Sequence, residues 1–63
     1  MKELIAKNPK QLDICLRLLF AENVQFQVRV IKTDTGKILY GITPLTDDKT
    51  ASIVEEKYFV LTR

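Results

Sequence analysis

The sequence predicts an α+β protein of the β-α-β-β-α-β, ferredoxin-like kind: an antiparallel sheet with two helices packed on one of its faces. Three observations carry that expectation. In Val24 to Lys32, the apolar Val24, Phe26, Val28 and Val30 recur at every second position, the period-two signature of a strand with one buried face. Asn8-Pro9 opens a helical pattern because Asn caps a helix well and Pro suits its first position. Tyr58-Phe59-Val60-Leu61-Thr62 is a dense β-branched and aromatic run at the end of the chain, which reads as a final strand.

In chain order, Lys2 to Ala6 reads as a short first strand, ended by Asn8-Pro9 because the residue before proline is driven out of the helical region. The helix that follows should run from Pro9 to about Glu22. Gln11 sits where a capping box wants Glu or Gln. Leu12, Cys15, Leu16, Leu18, Leu19 and Phe20 form an apolar arc of roughly 200°, wider than a surface helix needs, with Ile14 just beyond it. Asp13 and Arg17 stand opposite, at a spacing that allows an ion pair.

In the strand Val24–Lys32, Val24, Phe26, Val28 and Val30 should face the helices, while Gln25, Gln27, Arg29 and Ile31 face away. Asp34-Thr35-Gly36 then supplies a hairpin loop in which glycine can take positive φ. The partner strand is Lys37 to Thr43, with Ile38, Tyr40 and Ile42 on one side and Leu39, Gly41 and Thr43 on the other. Pro44 is expected to stop it. Thr46-Asp47-Asp48 begins a short helix, Asp48 to Lys57, and the last strand follows. Right-handed crossovers place the first and third strands at the centre of such a sheet.

The chain has 63 residues, 46% apolar and 29% charged, with a net charge of +2. That composition suits one small globular domain rather than a disordered tail. The weak positive charge reads as a solvated surface, since no basic block occurs. No apolar stretch approaches the ~18 residues of a membrane span, and the start is too weakly apolar for an export signal. With one unpaired cysteine, these features predict a cytoplasmic protein.

Catalytic constellations are missing. The chain has no histidine and one cysteine, so Ser-His and Cys-His pairs, an intrachain disulfide and a conventional zinc site are all excluded. Cys15 lies on the apolar side of its helix and reads as a packed thiol. The doublets Asp47-Asp48 and Glu55-Glu56 are neighbours in sequence, which a helix does not bring face to face. Gly36 and Gly41 are too far apart to cradle a phosphate. The expectation is therefore a protein without catalysis, cofactor or metal.

What remains is an excess of apolar surface. The predicted third and last strands are apolar on both faces, whereas a sheet with one wet face should alternate cleanly. A second covered face implies a partner. The sequence thus predicts an interaction or regulatory module, a homodimer through the open sheet face, with Ile31, Leu39, Phe59 and Leu61 as the contact core. Gln25, Gln27 and Arg29 would form its polar rim. An inhibitor or adaptor that covers another protein would use the same face, and a small-ligand sensor could hold its metabolite between two such domains. A different alternative is binding of single-stranded nucleic acid, with Tyr40 and Tyr58 stacking bases and Arg29, Lys32 and Lys37 meeting phosphates.

Overall fold

The computed structural model describes residues 3–63, so the expectation for Lys2 lies outside the described residues. It contains β1 (Leu4–Ala6), α1 (Pro9–Ala21), β2 (Gln25–Lys32), β3 (Ile38–Leu45) and α2 (Asp48–Leu61). The sheet has three strands in the order β1-β3-β2, with both pairings antiparallel. The α+β class is as the sequence predicts; the fourth strand is not formed.

Local chemistry explains each boundary. Asn8 caps α1 by accepting from the Gln11 N–H at 2.9 Å, and Gln11 returns the contact by accepting from the Lys7 N–H. At the other end Asn23 takes φ +58°, a left-handed conformation that Asn tolerates better than most residues. The Val24 N–H donates to the Leu19 carbonyl and the Asn23 N–H to that of Phe20, which closes the helix in a Schellman arrangement. Val24 is thereby pulled into the core. The β2–β3 loop turns on Gly36 at φ +84°, where a side chain would be strained. Thr33 braces the loop, its hydroxyl accepting from the Lys37 N–H and lying 3.0 Å from that of Thr35.

Two expectations about β3 and the C-terminus are corrected. Pro44 does not stop β3 but lies within it, opposite Phe26. The Thr33 N–H donates to the Lys37 carbonyl, so odd-numbered residues of β2 and β3 exchange the ladder bonds between them. The nitrogen of Pro44 therefore points away from β2, and described pairing with β1 has already ended at Leu4 opposite Ile42. Among the described residues no ladder bond is lost.

The second correction concerns Tyr58 to Thr62, expected as a strand and found as the continuation of α2 through Leu61, with Thr62 as its cap. Asp47 starts this helix by accepting from the Thr50 N–H at 2.9 Å. No Gly or Pro follows to break it, and a helix already nucleated extends at little cost. Val54 and Tyr58 are its buried residues; their i,i+4 spacing puts them on one stripe. The Tyr58 hydroxyl donates to the Ile5 carbonyl at 2.8 Å. Without a fourth strand, β1 is an edge rather than a central strand.

One core holds these elements together: Leu4, Ala6, Cys15, Leu19, Val24, Ile42, Val54 and Tyr58 are buried, with Leu12, Ile14, Leu16, Leu18, Phe26 and Tyr40 packed around them. Phe20, expected in the buried arc of α1, is 69% exposed and stands edge-on to Phe26. Lys57 bridges to Glu22 at 3.0 Å and ties α2 to the end of α1. Asp13 and Arg17 form the expected i,i+4 pair on the exposed side.

Replacing Tyr58 with Phe removes the tie between α2 and β1 while keeping the ring. It should cost about 1 kcal/mol of unfolding free energy, measured by urea denaturation, because one intramolecular hydrogen bond contributes about that much. An unchanged midpoint would mean that ring packing alone positions α2.

Candidate functional site

The register assigns every strand residue to a face, because residues directly opposite in an antiparallel pair point the same way. Leu4, Ala6, Phe26, Val28, Val30, Tyr40, Ile42 and Pro44 lie on the helix side. Ile5, Gln25, Gln27, Arg29, Ile31, Leu39, Gly41, Thr43 and Leu45 lie on the open side. The alternation predicted for Val24–Lys32 therefore has the expected orientation.

The open face has two parts. Near the hairpin, Ile31 sits directly opposite Leu39, both half-buried, and Ile5 is partly exposed on β1. Beyond them the Glu3 carboxylate crosses to Arg29, accepting from Nε at 2.6 Å and from the second guanidinium nitrogen at 2.8 Å. Gly41 lies beneath this bridge, opposite both Ile5 and Arg29. A Cβ at Gly41 would overlap the Glu3 carboxyl group. The bridge in this geometry occupies the space that a side chain at Gly41 would take. The Arg29 hydrogen bonds hold the Glu3 carboxyl below its ordinary value of 4.5, outweighing the opposing effect of desolvation.

Of the residues proposed as a contact core, Ile31 and Leu39 share this face, with Gln25, Gln27 and Arg29 beside them. Phe59 and Leu61 do not: both are on α2, more than half exposed. Their assignment to the sheet is corrected because the strand that would have carried them is helical. Leu61 instead lines a groove with Leu18, Ile53 and Val60, edged by Glu56 and Lys57.

The residues of the nucleic-acid alternative are also separated. Tyr58 is buried under α2 with its hydroxyl engaged, Tyr40 is half-buried on the helix side, and Arg29 is bound to Glu3. Lys32 and Lys37 flank the hairpin. No two of these aromatic rings share an open platform with the cations.

The apolar surface that the alternation pattern did not reveal is at the outer edge of β2. Val28 is 43% and Val30 66% exposed although both face the helix side. They point toward the helix side, yet the packing there leaves both exposed. The strand's burial pattern shows only Phe26 and Ile31 partly covered along its whole length. Phe20 and Ile38 extend the same exposed strip.

Among the described residues no cluster of three metal-binding side chains occurs, and no helix is long and apolar enough to cross a membrane. Comparison with protein-family models, curated proteins and solved structures returned no match.

Two measurements test this geometry. Glu3 and Asp47 both lose their protons more readily in the folded chain, Asp47 because it accepts hydrogen bonds from Thr50. A group whose folded pKa is depressed stabilises the fold above its unfolded value and loses that contribution as pH falls. Thermal stability should therefore drop as pH falls below about 4.5, and Gly41→Ala, which displaces Glu3, should make that drop shallower. Equal acid sensitivity in both proteins would remove the bridge from the account. Separately, burial pushes the Cys15 thiol up to about 11. A thiol reagent at neutral pH should label the native chain only at its rate of opening, and at once in denaturant.

Proposed function

We propose that this chain is a non-enzymatic self-association module that works as a homodimer. The observation that carries the reading is a comparison of apolar surface. Among the described residues, Ile5, Phe20, Val28, Val30, Ile38, Leu45, Ile53, Phe59, Val60 and Leu61 are all exposed, outnumbering the buried apolar core of eight residues. Isolated exposed apolar side chains are ordinary. A 63-residue chain that leaves more large apolar side chains outside than it buries is not, since small domains have little stability to spare. With no disulfide possible, association is the remaining way to bury more of that surface.

A second copy is the partner that the composition favours. The net charge of +2 is small, so two copies repel weakly and neither needs an oppositely charged partner. Regulation or adaptor activity would then act through the assembled pair, whose combined surface differs from that of either protomer.

Light scattering over about a hundredfold concentration range should give twice the 7.3 kDa chain mass, and the unfolding midpoint should rise with protein concentration, as mass action requires of a folded dimer. A mass of one chain throughout, with a midpoint independent of concentration, overturns the reading.

A further inference from the structure

The two edges of the sheet are built differently. β1 is three residues long, and its Ile5 carbonyl accepts from Tyr58. β2 is eight residues long, pairs with β3 without a bulge from Gln25 to Lys32, and contains no proline. Natural sheets shorten, cover, kink or charge their edges to avoid pairing with other strands. This chain does so at β1 and leaves β2 open. The one charge near the middle of β2, Arg29, is on the open face and held by Glu3.

We infer that the outer edge of β2 is the dimer interface, pairing antiparallel with β2 of a second copy around a two-fold axis at Val28. The inference rests on the homodimer reading above and specifies which surface makes it. Three features select this arrangement.

The first is hydrogen-bond parity. Odd-numbered residues of β2 direct their backbone groups to β3, as the Thr33 to Lys37 bond shows. The N–H and C=O groups of Phe26, Val28 and Val30 therefore point outward. A two-fold at Val28 sets Val28 against its own copy and Phe26 against Val30 of the second copy. Each of these is a pair in which both residues exchange N–H and C=O.

The second is side-chain complementarity. On the helix side that register joins Phe26, Val28 and Val30 of both copies into one apolar strip. Phe20, already edge-on to Phe26, would lie beside it. The exposure of Val28, Val30 and Phe20 thus has one common explanation. On the open side Gln27 faces Arg29 of the second copy. The neighbouring register, centred on Arg29, would set two guanidinium groups directly opposite, which destabilises a sheet pair.

The third is closure. Pairing identical edges about a two-fold axis uses each β2 once, and at the short β1 the Ile5 carbonyl is already taken by Tyr58. The assembly stops at two chains.

The test combines mass, folding and amide exchange. Val28→Pro removes an outward N–H that β3 does not use, and edge positions of this kind accept proline. Val28→Lys keeps the backbone donor but sets two ammonium groups together at the axis. Val28 lies outside the buried core, and circular dichroism checks that each variant is folded. Both should halve the molar mass of the wild-type protein. In the wild type, the amides of Phe26, Val28 and Val30 should exchange slowly at high concentration and faster on dilution, while those of Gln27 and Arg29 stay protected at both. If Val28→Pro fails to fold, Val28→Lys and the exchange pattern decide. A wild-type dimer that persists in the variants, with Phe26, Val28 and Val30 amides open to exchange, overturns the edge interface and leaves the homodimer reading standing. A monomeric wild type overturns both, and open-ended polymers overturn the closed pair.

Discussion

The hydrogen bond from the Tyr58 hydroxyl to the Ile5 carbonyl, 2.8 Å long, joins the last helix to the first strand and fixes much of what lies between. Tyr58 is almost wholly buried, beside Val54 in the stripe that α2 turns to the core. Burial, with a smaller contribution from neighbouring Cys15, raises the pKa of its phenol, so the hydroxyl remains a donor at neutral pH. The ring and its hydroxyl are both satisfied with Tyr58 helical and facing inward, which favours α2 through Leu61. The sheet consequently has three strands, β1 is an edge, and that edge is partly sealed.

The same commitment leaves the opposite side of the sheet short of cover. α1 lies over the start of β2, where Phe26 and Val24 meet it, and α2 reaches toward β1. Val28 and Val30 point to the helix side and remain exposed there. A sheet whose inner face continues past its helices has apolar surface that only another molecule can bury. The edge next to that surface also has unused backbone donors and acceptors, so both needs are met at one place. The open face is different in character. Its Ile31–Leu39 pair is already half-buried, and the Glu3–Arg29 bridge over Gly41 makes its middle polar.

Several local devices were legible from residue types alone. Asn8 and Asp47 cap their helices by accepting from the backbone N–H three residues on, with Pro9 at the first helical position. Gly36 takes the positive φ that a tight hairpin requires, and Val24–Lys32 keeps the face that its alternation assigns. Each depends on contacts within a few residues or on simple periodicity, which a linear reading captures. The bridge between Glu3 and Arg29 spans 26 positions and depends on a glycine in a third strand, so spacing gave no sign of it.

Sequence alone determined the α+β class, both helix starts, the hairpin and which side chains of β2 share a face; the structure decided which of those faces meets the helices. Tertiary structure decided the identity of Tyr58 to Leu61. Their β-branched and aromatic content favours a strand, but that preference is weak beside the burial of Val54 and Tyr58 on one helical stripe. It also decided that Pro44 continues β3, since the register with β2 turns its nitrogen away from that strand. Which apolar residues remain outside was settled last and least locally. Exposure of Phe20, Val28 and Val30 follows from the lengths and placement of two helices over three strands, a property of the whole arrangement that no segment of the chain contains.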